Sequence, residues 1–161
     1  MMTLEILNRQ RTKKINKRLL KHIVLELLAE LEIETAELGI NLVAAREMTL
    51  LNESFLQHEG STDVITFNHL DDSSRQAGEP SLHGELFVCV DEAILQAKRF
   101  RCSWPSEIVR YVVHGILHLL GHDDVEVGLR RRMKREENRL LRRLASKISF
   151  AQLSHPAKIG P

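Results

Sequence analysis

The stretch HGILHLLGHDD, residues 114–124, predicts the central helix of the fold. His114 and His118 are four positions apart, and on an α-helix that spacing puts both side chains on one face, about one turn apart. When about 100° is allowed per residue, the apolar residues of this segment recur on nearly the opposite face. They are Ile108, Val109, Val112, Val113, Ile116 and Leu117. We therefore expect a helix that packs on a core by its back and presents both imidazoles away from that core.

The two histidines have the spacing of residues that coordinate one tetrahedral metal ion, although such a pair also occurs on ordinary solvent-facing helices. Gly121 makes the pattern more specific, because a glycine three residues after the second histidine permits a left-handed turn. The chain can then fold back so that Asp124 reaches the same ion. The predicted metal site is therefore His114, His118 and Asp124. His122 is the alternative third ligand if the helix continued, and Gly121 disfavours that continuation.

The residue after the first histidine bears on the class of enzyme. Metalloproteases with the H-E-x-x-H motif carry a glutamate there as general base. This chain has Gly115 at that position. A zincin-like peptidase is therefore the less favoured enzyme hypothesis.

Outside this helix, strand-like and helix-like patterns follow one another along the chain. Strands are predicted at 3–9, 40–45, 63–67 and 86–90, and helices at 15–31, 46–56, 91–100, 105–120 and 126–146. Gly39 is expected to break the chain before the second strand, and Asp91 to cap the third helix. A turn is predicted at 58–61 and a polar loop or hairpin at 70–83. This order predicts an α+β fold, a small mixed β-sheet packed with helices that include the metal-binding H-x3-H helix.

Length and composition indicate one ordinary globular domain. Residues 1–150 of the 161 are assigned to it, and residues 151–161 to a loose tail. The net charge of +1 excludes a bulk polybasic attraction to nucleic acid. Basic residues do cluster at 11–21 and 130–143, either as solvated helix faces or as a phosphate-binding surface. Two cysteines without C-x-x-C spacing, no signal-like start and no long apolar run lead us to expect a soluble, cytoplasmic protein.

Several ordered motifs make the chain resemble the YbeY family of bacterial metal-dependent endoribonucleases. The family signature HGxLHLxGxDH is similar to residues 114–124, and the family segment TDVLSF is similar to TDVITF at 62–67. A GDI-type strand followed by a helix is similar to GEL at 84–86 and VCVD at 88–91. Smaller similarities occur at Leu51-Asn52 and at Met133 with Glu136-Glu137.

The resemblance implies an α+β fold with one zinc ion at the H-x3-H helix. It also implies an endoribonuclease that acts in ribosomal RNA maturation, including the small-subunit 3′ end, and in ribosome quality control. The expected partners are single-stranded or ribosomal RNA and the ribosome or its proteins. No membrane association is expected.

Two positions depart from the family pattern. The third ligand is usually histidine, whereas this chain has Asp124; a carboxylate is an accepted zinc ligand but adds negative charge, which makes the ion a weaker Lewis acid. Two histidines and a carboxylate also suit iron or manganese. The family usually has an arginine just after the aromatic residue of the segment at 51–56, and this chain has Leu56 there. A phosphate-clamping arginine is therefore missing from that position.

The sequence thus supports metal-assisted hydrolysis of phosphodiester bonds in single-stranded RNA. No general base is identified, and Glu85 and Asp63 are the candidates in motif-bearing segments. The rival hypothesis is a non-catalytic ribosome-binding protein with a structural metal. A closed set of four protein ligands would indicate that structural role, and three ligands plus water would indicate catalysis.

Overall fold

The computed structural model describes residues 2–56, 62–70 and 82–155, and this part of the chain contains four strands and five α-helices. The strands are β1 (Met2–Asn8), β2 (Ala36–Val43), β3 (Val64–Asn68) and β4 (Leu82–Cys89). The helices are α1 (Lys17–Glu30), α2 (Ala45–Phe55), α3 (Val90–Phe100), α4 (Trp104–Leu119) and α5 (Val127–Lys147), and a 3-10 helix follows at Phe150–Ser154.

The strands form one mixed sheet in the order β1-β2-β4-β3. The first three of these run parallel, with Ile6 beside Ile40 and Ile40 beside Leu86, and β3 is antiparallel to β4. Parallel neighbours need a crossover connection, and α1 supplies the one between β1 and β2. The predicted α+β class with a small mixed sheet is confirmed.

Alternation along the strands gives the sheet two different faces. Ile6, Ile40 and Leu86 belong to the main core, which they share with the apolar sides of α1 and α4. On the other face, Met48 of α2 packs into a smaller buried cluster with Val43, Ile65 and Cys89. Beyond that cluster the second face carries exposed polar side chains of β1 and β2 and half-buried polar side chains of β4.

Helix α4 lies at the centre of the main core. Ser103 is its N-cap and accepts a hydrogen bond from the Ser106 backbone N–H at 3.3 Å, and Pro105 occupies the first turn, where its missing N–H costs nothing. All six apolar residues predicted for its back are fully buried. The prediction of a helix anchored by this face is therefore confirmed.

Two local predictions are wrong. Gly39 does not break the chain but lies inside β2, which begins at Ala36. Asp91 does not cap α3, whose N-cap is Cys89; its carboxylate instead accepts hydrogen bonds from the Ala45 backbone N–H at 2.6 Å and the Thr12 hydroxyl at 2.8 Å. Asp91 thus stabilises the start of α2, a contact between distant residues that local pattern does not reveal.

The described part of the segment predicted as a loose tail is folded. The 3-10 helix extends to Ser154, Leu153 is fully buried, and its carbonyl accepts a hydrogen bond from the Asn16 backbone N–H at 2.9 Å. Residues 156–161, the turn at 58–61 and most of the loop at 70–83 lie outside the described residues, although β4 already begins at Leu82.

Close approach of α4 to the sheet depends on glycine at position 84. A Cβ there would lie 2.5 Å from the Phe67 carbonyl oxygen and 2.9 Å from Leu119 Cδ2. We expect Gly84→Ala to lower the free energy of unfolding by about 1–3 kcal/mol, the usual cost of overpacking. Urea titration measures this change. Gly128→Ala is the matched control, because a Cβ at position 128 meets nothing within 4 Å. Equal stability of the two variants would contradict the role of Gly84.

Candidate metal centre

His114 and His118 lie side by side on α4, on the side turned away from its buried residues. Their ring centroids are 4.7 Å apart and the rings meet edge to face at 76°. Their side chains are 26% and 28% exposed, so both remain accessible from solvent. The helix face that carries them is therefore the one that the sequence predicts.

The chain turns back directly after α4. Gly121 has φ +99°, and its N–H donates to the His118 carbonyl at 3.0 Å while the His122 N–H donates to the Leu117 carbonyl at 3.0 Å. These two bonds form a Schellman motif, in which glycine adopts the left-handed conformation without a Cβ penalty. The predicted left-handed turn at Gly121 is confirmed.

This turn brings Asp124 to the histidine pair. Asp124 Oδ2 lies 3.8 Å from His114 Nε2 and 3.6 Å from His118 Nε2. Both separations are shorter than twice the zinc–ligand length of about 2.0–2.2 Å, so one ion fits between the carboxylate and either imidazole. Within the described residues, these three form the group of histidine and acidic side chains that could hold a metal ion. The candidate residues are thus brought together, and their role as ligands stays a prediction.

Glu137 of α5 orients the first histidine. Its Oε2 lies 3.0 Å from His114 Nδ1, and the carboxylate is almost entirely buried. When Nδ1 donates its proton to Glu137, the lone pair of Nε2 points towards Asp124. A carboxylate on the far nitrogen of a histidine is the usual way in which proteins fix the ring of a metal ligand.

The pKa values of this pair move in opposite directions. Burial lowers the pKa of His114, but the hydrogen bond and charge of Glu137 outweigh burial and raise it above its ordinary value. Burial raises the pKa of Glu137, but hydrogen bonds from His114 and Arg110 outweigh burial and lower it. Glu137 therefore stays ionised at neutral pH and keeps its hold on the imidazole.

Arg110 completes the environment of Glu137. Its Nη1 donates to Glu137 Oε1 at 2.8 Å and to Asn138 Oδ1 at 3.1 Å, and its Nε lies 3.6 Å from the buried Glu107. A buried carboxylate needs such partners, because an unpaired buried charge is very costly. Arg110 thus ties α4 to α5 behind the histidine pair.

Sequence reasoning missed the role of Glu137. The signal was present, because Glu137 occupies a position of the buried seam of α5 that is otherwise apolar: Met133, Leu140 and Leu144. An acid in an apolar helix stripe indicates a buried partner. The identity of that partner depends on how two helices pack, which periodicity does not reveal.

A cavity of about 240 Å³ lies beside the site. His114 and Asp124 line it together with Asp63, Tyr111, Arg130 and Lys134. Burial raises the pKa of Tyr111, so its hydroxyl stays neutral. Its charged lining also includes Glu107, Glu137 and Arg110. Beside the candidate metal ligands, the cavity therefore has three carboxylates, of which Glu107 and Glu137 are engaged by Arg110, and the cations Arg130 and Lys134 that an anionic ligand would meet.

The remaining sequence candidates separate in space. Asp63 lies at the cavity, where its Oδ1 accepts a hydrogen bond from the Val64 N–H at 2.7 Å. Glu85 lies on the opposite face of the sheet from α4, 3.6 Å from His69, so it cannot act at this site. Leu56 ends α2 and is not among the described residues that line the cavity.

Within the described residues, no helix is long and apolar enough to cross a membrane.

Comparison with known proteins gives one consistent result. The family model described as Endoribonuclease YbeY matches residues 5–145. A protein of that name from Finegoldia magna is 33% identical over 147 residues, which cover 89% of this chain and 94% of the relative. One from Chlorobium limicola is 30% identical over 147 residues, covering 88% of this chain and 93% of the relative.

The fold also matches a solved structure. The solution structure of TM1509 from Thermotoga maritima superimposes with a TM-score of 0.67 at 23% identity and covers 99% of both chains. At that identity the similarity supports the fold alone.

Removal of the Glu137 charge is expected to weaken metal binding. In Glu137→Gln the hydrogen bond that fixes His114 loses its charge, and we expect the affinity for zinc to fall about 10- to 100-fold. Competition with a chromophoric chelator measures this affinity. Glu136→Gln makes the same charge change one residue away, on a carboxylate that binds Arg139, and should leave the affinity unchanged. Equal affinities of the two variants would refute the role of Glu137.

Proposed function

The chain belongs to the YbeY family of endoribonucleases, and from this premise we propose that it is a metal-dependent endoribonuclease that cleaves single-stranded RNA. The proposal rests on one observation above all. The family match includes His114, His118 and Asp124, and these residues converge beside a cavity that also holds cationic side chains.

Zinc is the proposed ion. Two imidazoles and a carboxylate form an accepted zinc site, and the same set suits iron or manganese. When bound, such an ion lowers the pKa of a coordinated water and polarises a phosphate oxygen. With three protein ligands, a position is left for water or substrate, which is the arrangement of catalytic rather than structural sites.

The residues of the chain supply positioning and charge in this proposal. Glu137 holds the proton on His114 Nδ1 and so keeps Nε2 directed towards Asp124. Asp63 forms no ion pair among the described residues and lines the same cavity, so we assign to its carboxylate the role of proton acceptor.

Other cationic side chains take the phosphate-binding role of the family arginine, in whose place this chain has Leu56. Arg130 donates to the Asp124 carbonyl at 3.1 Å, and Lys134 is held 3.6 Å from Glu137. Both line the cavity, and we propose that they contact the phosphate. Arg110 is engaged by Glu137, Asn138 and Glu107, so it acts through Glu137 rather than on the substrate.

The biological role that we propose follows the family resemblance. The substrate is ribosomal RNA, with the small-subunit 3′ end as one processing site, and the enzyme also takes part in ribosome quality control. It works in the cytoplasm with the ribosome or ribosomal proteins as partners.

Packing accounts for the absence of a peptidase-type glutamate. A Cβ at Gly115 would lie 2.8 Å from Leu86 Cδ2 and 3.3 Å from Val64 Cγ2. The position faces the sheet, and a glutamate side chain there would have to enter the core. The geometry therefore disfavours the peptidase alternative.

Cleavage of a labelled single-stranded RNA by the zinc-loaded protein tests the proposed function. We expect the wild-type chain to cut single-stranded RNA and to spare a duplex of the same sequence, and His118→Ala to lose cleavage because the ion loses an imidazole. His83→Ala is the matched control, since His83 lies on the opposite sheet face and pairs with Glu37 at 3.2 Å.

Equal cleavage by wild type and His118→Ala would show that the activity does not come from this site. Absence of cleavage by the zinc-loaded wild-type chain would instead favour the ribosome-binding role with a structural metal.

A further inference from the structure

One side of α5 carries a row of arginines that the metal centre does not use. Arg132, Arg135, Arg139 and Arg142 follow one another at intervals of three and four residues, and all are exposed. Side chains at these intervals lie on one face of a helix, about 5–6 Å apart at their Cβ atoms. We call these four residues the α5 arginine stripe. From its first to its last residue it extends about 15 Å.

Most other cationic side chains of α5 have partners within the protein. Arg143 and Lys147 bind Glu30 of α1 at 3.2 and 2.9 Å. Lys134 is held by Glu137, and Arg130 donates to backbone carbonyls of the turn before α5. The contacts of Arg143 and Lys147 tie α5 to α1, those of Arg130 tie it to the metal-site turn, and the Lys134 contact lies within α5.

The stripe is different. Within the described residues, Arg132, Arg135 and Arg142 form no ion pair, and only Arg139 is bound, by Glu136. The whole chain has a net charge of +1, so this concentration of positive charge is local. These three arginines have no acidic partner in the described part of the chain, so their positive charge is available to an anionic ligand.

The stripe lines a groove of about 590 Å³ whose described lining is entirely polar or charged: the stripe itself with His122, Glu136 and Asn138. A groove without apolar side chains does not suit an apolar protein segment or the acyl region of a lipid. His122 belongs to the same turn as Asp124, which lines the cavity at the metal centre. The groove therefore begins at the turn on which the candidate metal site depends.

We infer that the α5 arginine stripe binds the sugar–phosphate backbone of the single-stranded RNA beside its cleavage point. The inference rests on the proposed function and names the surface that holds the substrate. Arginine binds phosphate oxygens through a planar, two-pronged donor set. The four arginines are regularly spaced along one helix face, so their donors lie in a line that can follow the successive phosphates of an RNA strand. The contacts are to the backbone, so they are independent of base sequence.

Binding of a labelled single-stranded RNA, followed by fluorescence anisotropy at several salt concentrations, tests this inference. The full chain is used with His118→Ala in every sample, so that the RNA stays intact. The test variant is Arg132→Gln, Arg135→Gln, Arg142→Gln. The matched control is Lys17→Gln, Arg18→Gln, Lys21→Gln, which removes three exposed cations of α1 that form no ion pair among the described residues.

If each arginine neutralises one phosphate, the test variant binds RNA about a hundredfold more weakly at 0.1 M salt, and the slope of log affinity against log salt falls by about 2. The α1 variant keeps the affinity and slope of the parent chain. In chains that retain His118, the test variant also shows a raised KM for RNA cleavage.

Three results would overturn the inference. Equal losses in both variants would assign the effect to net charge, and unchanged affinity in the stripe variant would show that RNA binds elsewhere. Loss of binding to phosphatidylglycerol vesicles with RNA affinity unchanged would assign the stripe to a membrane surface. In each case, cleavage by the stripe variant that retains His118 reports separately on the proposed function. If that variant cuts RNA with an unaltered KM, the role of the stripe is refuted and the proposed endoribonuclease function is not.

Discussion

The packing of α4 against the sheet constrains the rest of the site. The helix buries the six apolar residues of its back completely and approaches β4 so closely that Gly84 and Gly115 have no room for a side chain. Because that face is fixed, the rotation of the helix is fixed as well, and His114 and His118 must point the other way. The Schellman motif at Gly121 then returns the chain to them. The core and the candidate metal site are thus two sides of one helix.

A buried ionic network makes the second connection between fold and site. Glu137 is nearly inaccessible to water, yet it stays ionised because Arg110 and His114 both bind it. Burial of a single charge would be costly, and the partners on α4 offset that cost. The same carboxylate that joins α5 to α4 therefore also sets the orientation of a histidine. Docking of α5 and competence of the site depend on each other.

The parts of the structure that follow from local pattern were predictable from the sequence. The helix at 114–119, its buried face and the left-handed turn at Gly121 all follow from residues within one or two turns of each other. Asp124 could be named because the turn is short. Glu137 and Asp91 could not be assigned their partners, since His114 and Ala45 lie far from them in sequence and are brought near only by packing. The sheet face on which Glu85 lies, opposite α4, was equally unpredictable, because it depends on the register of β4.

Determination of the metal coordination in the zinc-loaded protein, by anomalous diffraction together with X-ray absorption, tests most directly whether α4 and its turn form a catalytic centre. We expect two imidazole nitrogens from His114 and His118, one carboxylate oxygen from Asp124, and water at the remaining position. A fourth protein ligand, or His122 in place of Asp124, would contradict this arrangement. A closed set of protein ligands would make the ion a structural one and remove the basis for catalysis at this site.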